Sequence, residues 1–331
     1  MISKSVLDFV KLSKADHIKF TVEKFKKSLK GQQDVSKQLK QLYETLLRNL
    51  NISTSRLIVI PDKYLYQLPF EIFLKDNNYL VEEYMVSYSG SVSLLEYQKT
   101  DYNNSDSRTG WSGFAPSFAK RDTLFANKTE VELVSEIVDG KIFTGKDATL
   151  DNFKSEIKTA SILHLATHAE INQDDPLYTK LIFAKDSVLT ASDIYSLSLN
   201  TDMTVLSACE TGFGKLEEGE GIMSMSRAFQ YAGSKSTVMS LWKIPDRASS
   251  ELMISFYEYL KDGLPKDRAL QQAKIDYLKK TENEFLKHPY YWAGFIVSGD
   301  TSPIAEQYDL WIWAIFVMIV GFIIIIAIKK I

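Results

Sequence analysis

Between residues 56 and 299 the chain alternates short apolar runs with segments of helical periodicity, and no other feature narrows its fold as much. The apolar runs cover 57–60, 85–88, 111–115, 141–143, 161–166, 181–184, 203–207, 237–241 and 295–297. They are too short for buried helices and are bounded by polar or turn-forming residues, so they are expected to be strands. Helical spacing fits 91–98, 129–138, 224–231, 248–261 and 266–279. Asp246 or a neighbour is placed to cap the helix over 248–261, and Gly263 with Pro265 separates that helix from the next. Strands alternating with helices imply a largely parallel sheet covered on both faces, an α/β fold. The polar stretch 100–110 reads as a surface loop.

Ahead of this region lies a different pattern. Ile18, Val22, Phe25 and Leu29 recur at helical spacing, Gly31 interrupts, and Val35, Leu39, Leu42 and Leu46 repeat the spacing. Two amphipathic helices each need a partner for the apolar stripe, so residues 1–50 are expected to form a helical hairpin packed on something larger. This segment carries 11 Lys and Arg against 5 Asp and Glu. The whole chain of 331 residues has 39 basic and 42 acidic side chains, a net charge of −3 that gives no reason to expect nucleic-acid binding. Its single cysteine excludes an intrachain disulfide, a cysteine-rich zinc finger and an iron–sulfur site.

The other end carries an uncharged run of 19 residues, 310–328. As a helix it would extend roughly 28 Å, close to the thickness of a bilayer core. Trp311 and Trp313 stand where an interfacial aromatic belt would, and Lys329 and Lys330 close the far side. The expectation is a single-pass membrane protein, with 301–309 as a linker. The residues beginning Met1-Ile2-Ser3-Lys4 show no secretory signal, which puts the bulk of the chain on the cytoplasmic side. The two terminal lysines argue weakly for the opposite orientation.

Chemistry concentrates at two places. Cys209 follows the run 203–207 and precedes a loop with Gly212, Gly214, Gly219 and Gly221. The carboxyl ends of strands are where open α/β sheets gather ligands. Alone, such a thiol is more often a small buried hydrophobe. A candidate partner is His168, at the end of Leu163-His164-Leu165-Ala166-Thr167-His168, where that run gives way to a polar loop. If the two strands are neighbours, imidazole and thiol meet across one sheet edge, and histidine can keep the thiolate populated and protonate a departing amine. His164 lies inside the apolar run and reads as a buried, hydrogen-bonded core histidine. The spacing of His164 and His168 suits a helical zinc pair, but Leu165 stands where that motif needs glutamate and no third ligand is evident. The glycines after Cys209 lack the phosphate-loop pattern, so no metal or other cofactor is expected.

Taken together these segments resemble the CHAT-domain proteins, cysteine peptidases related to caspases and separase. The resemblance runs from about Leu57 to Gly299. It rests on Val59-Ile60-Pro61-Asp62, Leu68-Pro69-Phe70-Glu71, Tyr88-Ser89-Gly90-Ser91, the stretch from His164 to His168, and Leu206-Ser207-Ala208-Cys209-Glu210-Thr211-Gly212. Ser240-Leu241-Trp242 with Asp246, His288-Pro289, and Tyr291-Trp292-Ala293-Gly294-Phe295 complete it. It implies a caspase-like three-layer α/β/α sandwich over 51–300 with His168 and Cys209 as catalytic dyad. It also implies an oxyanion held by the backbone N–H groups of Cys209 and Ala169. Relatives commonly have glycine after the histidine; Ala169 still supplies an N–H, provided the backbone there needs no glycine-only geometry. Many relatives carry long arrays of helical TPR repeats, of which residues 1–50 would be a remnant.

With the anchor expected from the run 310–328, the expectation is a membrane-anchored endopeptidase acting on a specific protein substrate in signalling or defence, latent until a protein partner activates it. Ser207, Trp242 and Asp246 are expected to bind substrate. Separase-like relatives cut after a basic residue held by an acidic side chain, a part open to Asp246. Helix capping is an equal reading of Asp246, and packing is the commoner role of a residue like Trp242. Two alternatives remain: a catalytically silent, membrane-tethered interaction module with the same fold, and acyl chemistry on a small substrate by the same dyad.

Overall fold

The computed structural model describes residues 10–12, 15–100, 110–118, 126–172, 174–207 and 224–304. Helices α1 (Ala15–Lys30) and α2 (Ser36–Leu46) open the chain. Their residues at three- and four-residue spacing, Val22, Phe25, Leu39 and Leu42 among them, are buried in the same core as the sheet that follows. After β1 (Arg56–Val59) comes a short hairpin of β2 (Leu74–Lys75) and β3 (Asn78–Tyr79). Its turn residues Asp76 and Asn77 have φ of 50° and 70°, the left-handed region these side chains tolerate.

The chain continues through β4 (Met85–Tyr88), α3 (Val92–Thr100), β5 (Trp111–Pro116), α4 (Asn127–Val138), β6 (Gly140–Gly145), α5 (Leu150–Glu156) and β7 (Ile162–Leu165). A small excursion follows, made of β8 (Ala169–Glu170), β9 (Lys180–Ile182), β10 (Val188–Thr190) and α6 (Ala191–Tyr195). The described chain then completes the fold with β11 (Met203–Leu206), α7 (Ser224–Tyr231), β12 (Ser236–Ser240), α8 (Asp246–Lys261), α9 (Lys266–Lys280), α10 (Pro289–Trp292) and β13 (Phe295–Gly299).

Among the described residues, eight strands form the central sheet in the order β1-β4-β13-β12-β11-β7-β5-β6. The fold is thus mixed α/β about a central sheet. Every residue of β5, β7, β11, β12 and β13 is buried, which requires cover on both faces, and the polar residues they carry, Ser112, His164 and Thr204 among them, are buried with the rest. All neighbours are parallel except β12 and β13. Between those two the chain makes two long helices rather than one. The α8–α9 pair, turned at Gly263 with φ of 78°, brings β13 back into the sheet from the end at which β12 left it. Phe295 consequently pairs with Ser240, at the carboxyl end of β12.

The expected run at 181–184 does not join the central sheet. Its strand β9 lies in a separate antiparallel sheet of order β10-β9-β8. Asn172 and Asp175 reverse the chain through side-chain bonds to nearby backbone N–H groups, too tight a return for a parallel crossover.

One buried ion pair ties the sheet to α9. Lys274 Nζ lies 2.7 Å from Glu71 Oε1 and 2.6 Å from the Phe295 carbonyl, while Tyr88 Oη donates to Glu71 Oε2 at 2.6 Å. Burial pushes the Lys274 ammonium below its ordinary pKa, and Glu71 opposes that shift.

The expectation of a single-pass membrane protein is corrected. No helix among the described residues is long and apolar enough to cross a membrane. The run 310–328 on which the expectation rested lies outside the described residues, as does most of the linker 301–309.

Candidate active site

Three strand ends converge at the carboxyl edge of the sheet. Leu165 of β7 is the register partner of Leu206 of β11, and Leu206 in turn pairs with Met239 of β12. His168 stands three residues beyond Leu165. Its carbonyl accepts from the Ile182 N–H at 3.0 Å, and the Thr167 hydroxyl donates to the Ile182 carbonyl. The small antiparallel sheet therefore clamps the backbone on which the imidazole is mounted. Hydrogen-bonded and non-hydrogen-bonded pairs alternate in such a ladder. With His168 bonded to Ile182, the next pair, Ala169 and Leu181, is non-bonded, so the Ala169 N–H is not spent on β9. The half-buried imidazole packs on the ring of Phe118, with centroids 4.5 Å apart and planes at 50°.

Cys209 lies outside the described residues, three positions beyond Leu206. The other sequence-predicted residues are brought together: Ser207, Trp242 and Asp246 line one cleft beside these strand ends. Trp242 is buried, its indole N–H donating to the Tyr290 carbonyl at 2.8 Å, so it forms a fixed wall. Gly294 makes that wall possible, because a Cβ there would stand 2.7 Å from Ile244 Cδ1 and 3.2 Å from Trp242. Asp246 is the first residue of α8. Pro245 occupies the cap position and no side chain caps the helix, so capping does not account for Asp246.

Sequence reasoning missed other residues of the cleft. Asn127, at the start of α4, donates to the carbonyls of Pro116 and Ala166 and fastens that helix to the ends of β5 and β7. Ser249 Oγ lies 3.4 Å from Ser207 Oγ and 3.4 Å from Glu130 Oε2. Glu130 is 3% exposed. The available signal was a charge on the buried stripe of α4, beside Val131 and Val134. His164, fully buried as the sequence suggested, stands between Glu130 Oε1 (2.9 Å from Nε2) and Tyr257 Oη (3.0 Å from Nδ1). Burial raises the Tyr257 phenol far above its usual pKa, so it keeps its proton. No group of three or more metal-ligating side chains occurs among the described residues.

A family model described as CHAT domain matches residues 36–300. The chain belongs to the CHAT domain family. Human tetratricopeptide repeat protein 28 is 25% identical over 298 residues, covering 74% of the CHAT chain and 12% of that protein. The chain thus spans about an eighth of the length of this relative. Its fold is similar to that of separase in the Saccharomyces cerevisiae separase–securin complex, with a TM-score of 0.52, 9% identity, and coverage of 73% of this chain and 15% of that one. It is also similar to the Arg-specific cysteine proteinase gingipain R, with a TM-score of 0.50, 13% identity, and coverage of 82% and 68%. At such identities the likeness is one of fold. The CHAT chain has a caspase-like, cysteine-peptidase-like fold.

Proposed function

We propose that this CHAT protein is a cysteine endopeptidase whose dyad is His168 and Cys209, built on a three-layer α/β/α arrangement. One observation carries the reading. The paired positions Leu165 and Leu206 lie on adjacent parallel strands, and His168 and Cys209 follow them at the same three-residue distance. Two chains that leave neighbouring strands at one edge start out side by side, which supports a pairing of these two residues.

In the proposed reaction the Cys209 thiolate attacks a peptide carbonyl, and the N–H groups of Ala169 and Cys209 bind the resulting oxyanion. His168 transfers its proton to the departing amine, and water then hydrolyses the acyl-enzyme. The non-bonded ladder position of Ala169 supports its share in this role. The cleft lined by Ser207, Trp242 and Asp246 receives the side chain preceding the cut, and its carboxylate favours a basic one. The partner this reading requires is a protein substrate. Activation by a further protein agrees with the repeat-protein name of the human relative and with the securin-bound separase, although those associations belong to those proteins.

The test is profiling of new protein N-termini in cells expressing the full chain, Cys209→Ala or His168→Ala. New termini that vanish in both variants are the expected result. Termini identical in all three would overturn the peptidase and leave a catalytically silent interaction module in its place.

A further inference from the structure

The pairing of β5 with β7 runs up to a proline. Phe114 and Leu165 are register partners, and the Ala166 N–H donates to the Phe114 carbonyl at 2.9 Å. In a parallel ladder of this register the next donor on β5 is the N–H of residue 116, and its acceptor is the Ala166 carbonyl. Residue 116 is proline, which has no N–H to give. The ladder therefore cannot serve the Ala166 carbonyl, two residues before His168.

Asn127 takes the place of that missing donor. Its Nδ2 donates to the Ala166 carbonyl at 3.2 Å and to the Pro116 carbonyl at 3.3 Å, while its Oδ1 accepts from the Lys128 N–H at 2.7 Å. Carbonyls only accept and a backbone N–H only donates, so these three partners fix which way the amide points. The side chain is half-buried and mounted on the first residue of α4, a helix anchored in the core through Val131 and Val134. Phe118 lies two residues beyond Pro116, and His168 lies two residues beyond Ala166. Those two rings pack on each other with centroids 4.5 Å apart. One amide thus joins the chain that carries the imidazole to the chain that carries the ring packed on it.

We propose that Asn127 is a positioning residue for His168: by bridging Pro116 and Ala166 it holds the imidazole against Phe118 and keeps it in place for its exchange of a proton with Cys209. The action runs through two backbone carbonyls. The catalytic consequence rests on the peptidase reading, while the placement of the ring does not.

The first test reads the ring itself. Full-length protein with isotope-labelled histidine is followed by NMR through the pH titration of His168, whose signal is identified by its loss in His168→Ala. Phe118→Ala gives the position of that signal without the packed ring. Asn127→Ala should move it at least half of the way there, with His17 and His288 unmoved. A His168 signal that stays at the parent position overturns the proposal. Should Asn127→Ala fail to fold, Asn127→Ser, which keeps one donor, should move the signal by a smaller step, and an unmoved signal overturns the proposal equally.

The second test reads the dyad, and the single cysteine of the chain makes it specific. If His168 sustains the thiolate, alkylation by iodoacetamide in the parent turns on below the ordinary thiol pKa of about 8.5. Asn127→Ala should raise that midpoint by about one pH unit, towards the midpoint of His168→Ala. A purely structural role would lower the thermal midpoint and leave the alkylation midpoint where it was. Adding Pro116→Ala, which restores the missing N–H, should return part of both shifts, and no return overturns the ladder origin of the role. Equal alkylation profiles for the parent and His168→Ala remove the dyad and leave the positioning to the NMR result. An unmoved His168 signal beside a low parent midpoint removes the positioning and keeps the dyad.

Discussion

Leu165 and Leu206 are register partners on adjacent parallel strands, so the chain leading to His168 and the chain leaving β11 depart from the same edge of the sheet. A register shift of even one residue would turn every side chain of a strand to the other face of a sheet buried on both sides. The relation between His168 and the chain leaving β11 is therefore set by core packing. What remains adjustable is the orientation of the imidazole, and that depends on its neighbours.

Phe118 packs on the His168 ring with centroids 4.5 Å apart. Removing the ring takes away one of the contacts that orient the imidazole, and a misoriented imidazole costs rate more than binding. Phe118→Ala should lower kcat by about ten- to a hundredfold with KM little changed, and Phe118→Leu should fall between it and the parent. Steady-state kinetics on a peptide drawn from the identified cut sites checks this. A raised KM with unaltered kcat would assign Phe118 to substrate binding instead.

Gly113 is the floor on which Trp111 lies. A Cβ at this position would stand 2.1 Å from the Trp111 ring, in the interior of a fully buried strand. Gly113→Ala should destabilise the protein by about 1–3 kcal/mol through overpacking, and Trp111→Phe in the same chain should recover part of that loss. Thermal denaturation of the three proteins is the measurement. An unchanged midpoint for Gly113→Ala would show that the indole has another place to go.

Asp202 joins the amino ends of the strands that carry the site. Its backbone N–H donates to the Ser161 carbonyl at 2.8 Å, its carbonyl accepts from Ser236 Oγ at 2.7 Å, and its carboxylate receives Lys235 Nζ at 2.8 Å and the Ser161 hydroxyl. Burial opposes ionisation, but these hydrogen bonds outweigh it and hold the carboxyl below the usual carboxylate range. In acid the unfolded chain therefore binds this proton more readily than the folded one. The contribution is fully present above the ordinary Asp value of about 4 and is lost as pH falls through the lower folded value. The thermal midpoint of Asp202→Asn should lie below the parent at pH 7, and the gap should close as pH approaches 3. A gap independent of pH would mean that Asp202 acts through its backbone alone.

The strands bearing His164 and Met203, and the helices from Ala248 and Lys266, were legible as short apolar runs and amphipathic stripes. So was the position of His168 at a strand end, because an apolar run giving way to polar residues marks where a chain leaves the core. The antiparallel entry of β13 was not legible. It depends on two helices packing as a pair between β12 and β13, and neither helix announces by its own pattern which end of the sheet it will reach. The diversion of β9 into its own sheet escaped for a similar reason, since its run looks like any central strand until Asn172 and Asp175 reverse the chain.

The cleft divides along the same line. Ser207, Trp242 and Asp246 were nameable in advance from the family resemblance, but Glu130 and Ser249 were not. Glu130 meets His164 across 34 residues and Ser249 across 119, and His164 meets Tyr257 across 93. Sequence by itself determined the elements, their apolar faces and the strand ends where His168 and the run before Cys209 emerge, because periodicity is a property of residues a few positions apart. Only the tertiary structure decided which ends are neighbours and which buried charge faces the cleft. Those depend on strand order and on where a desolvated carboxylate finds its hydrogen-bond donors, and both are settled between segments far apart in the chain.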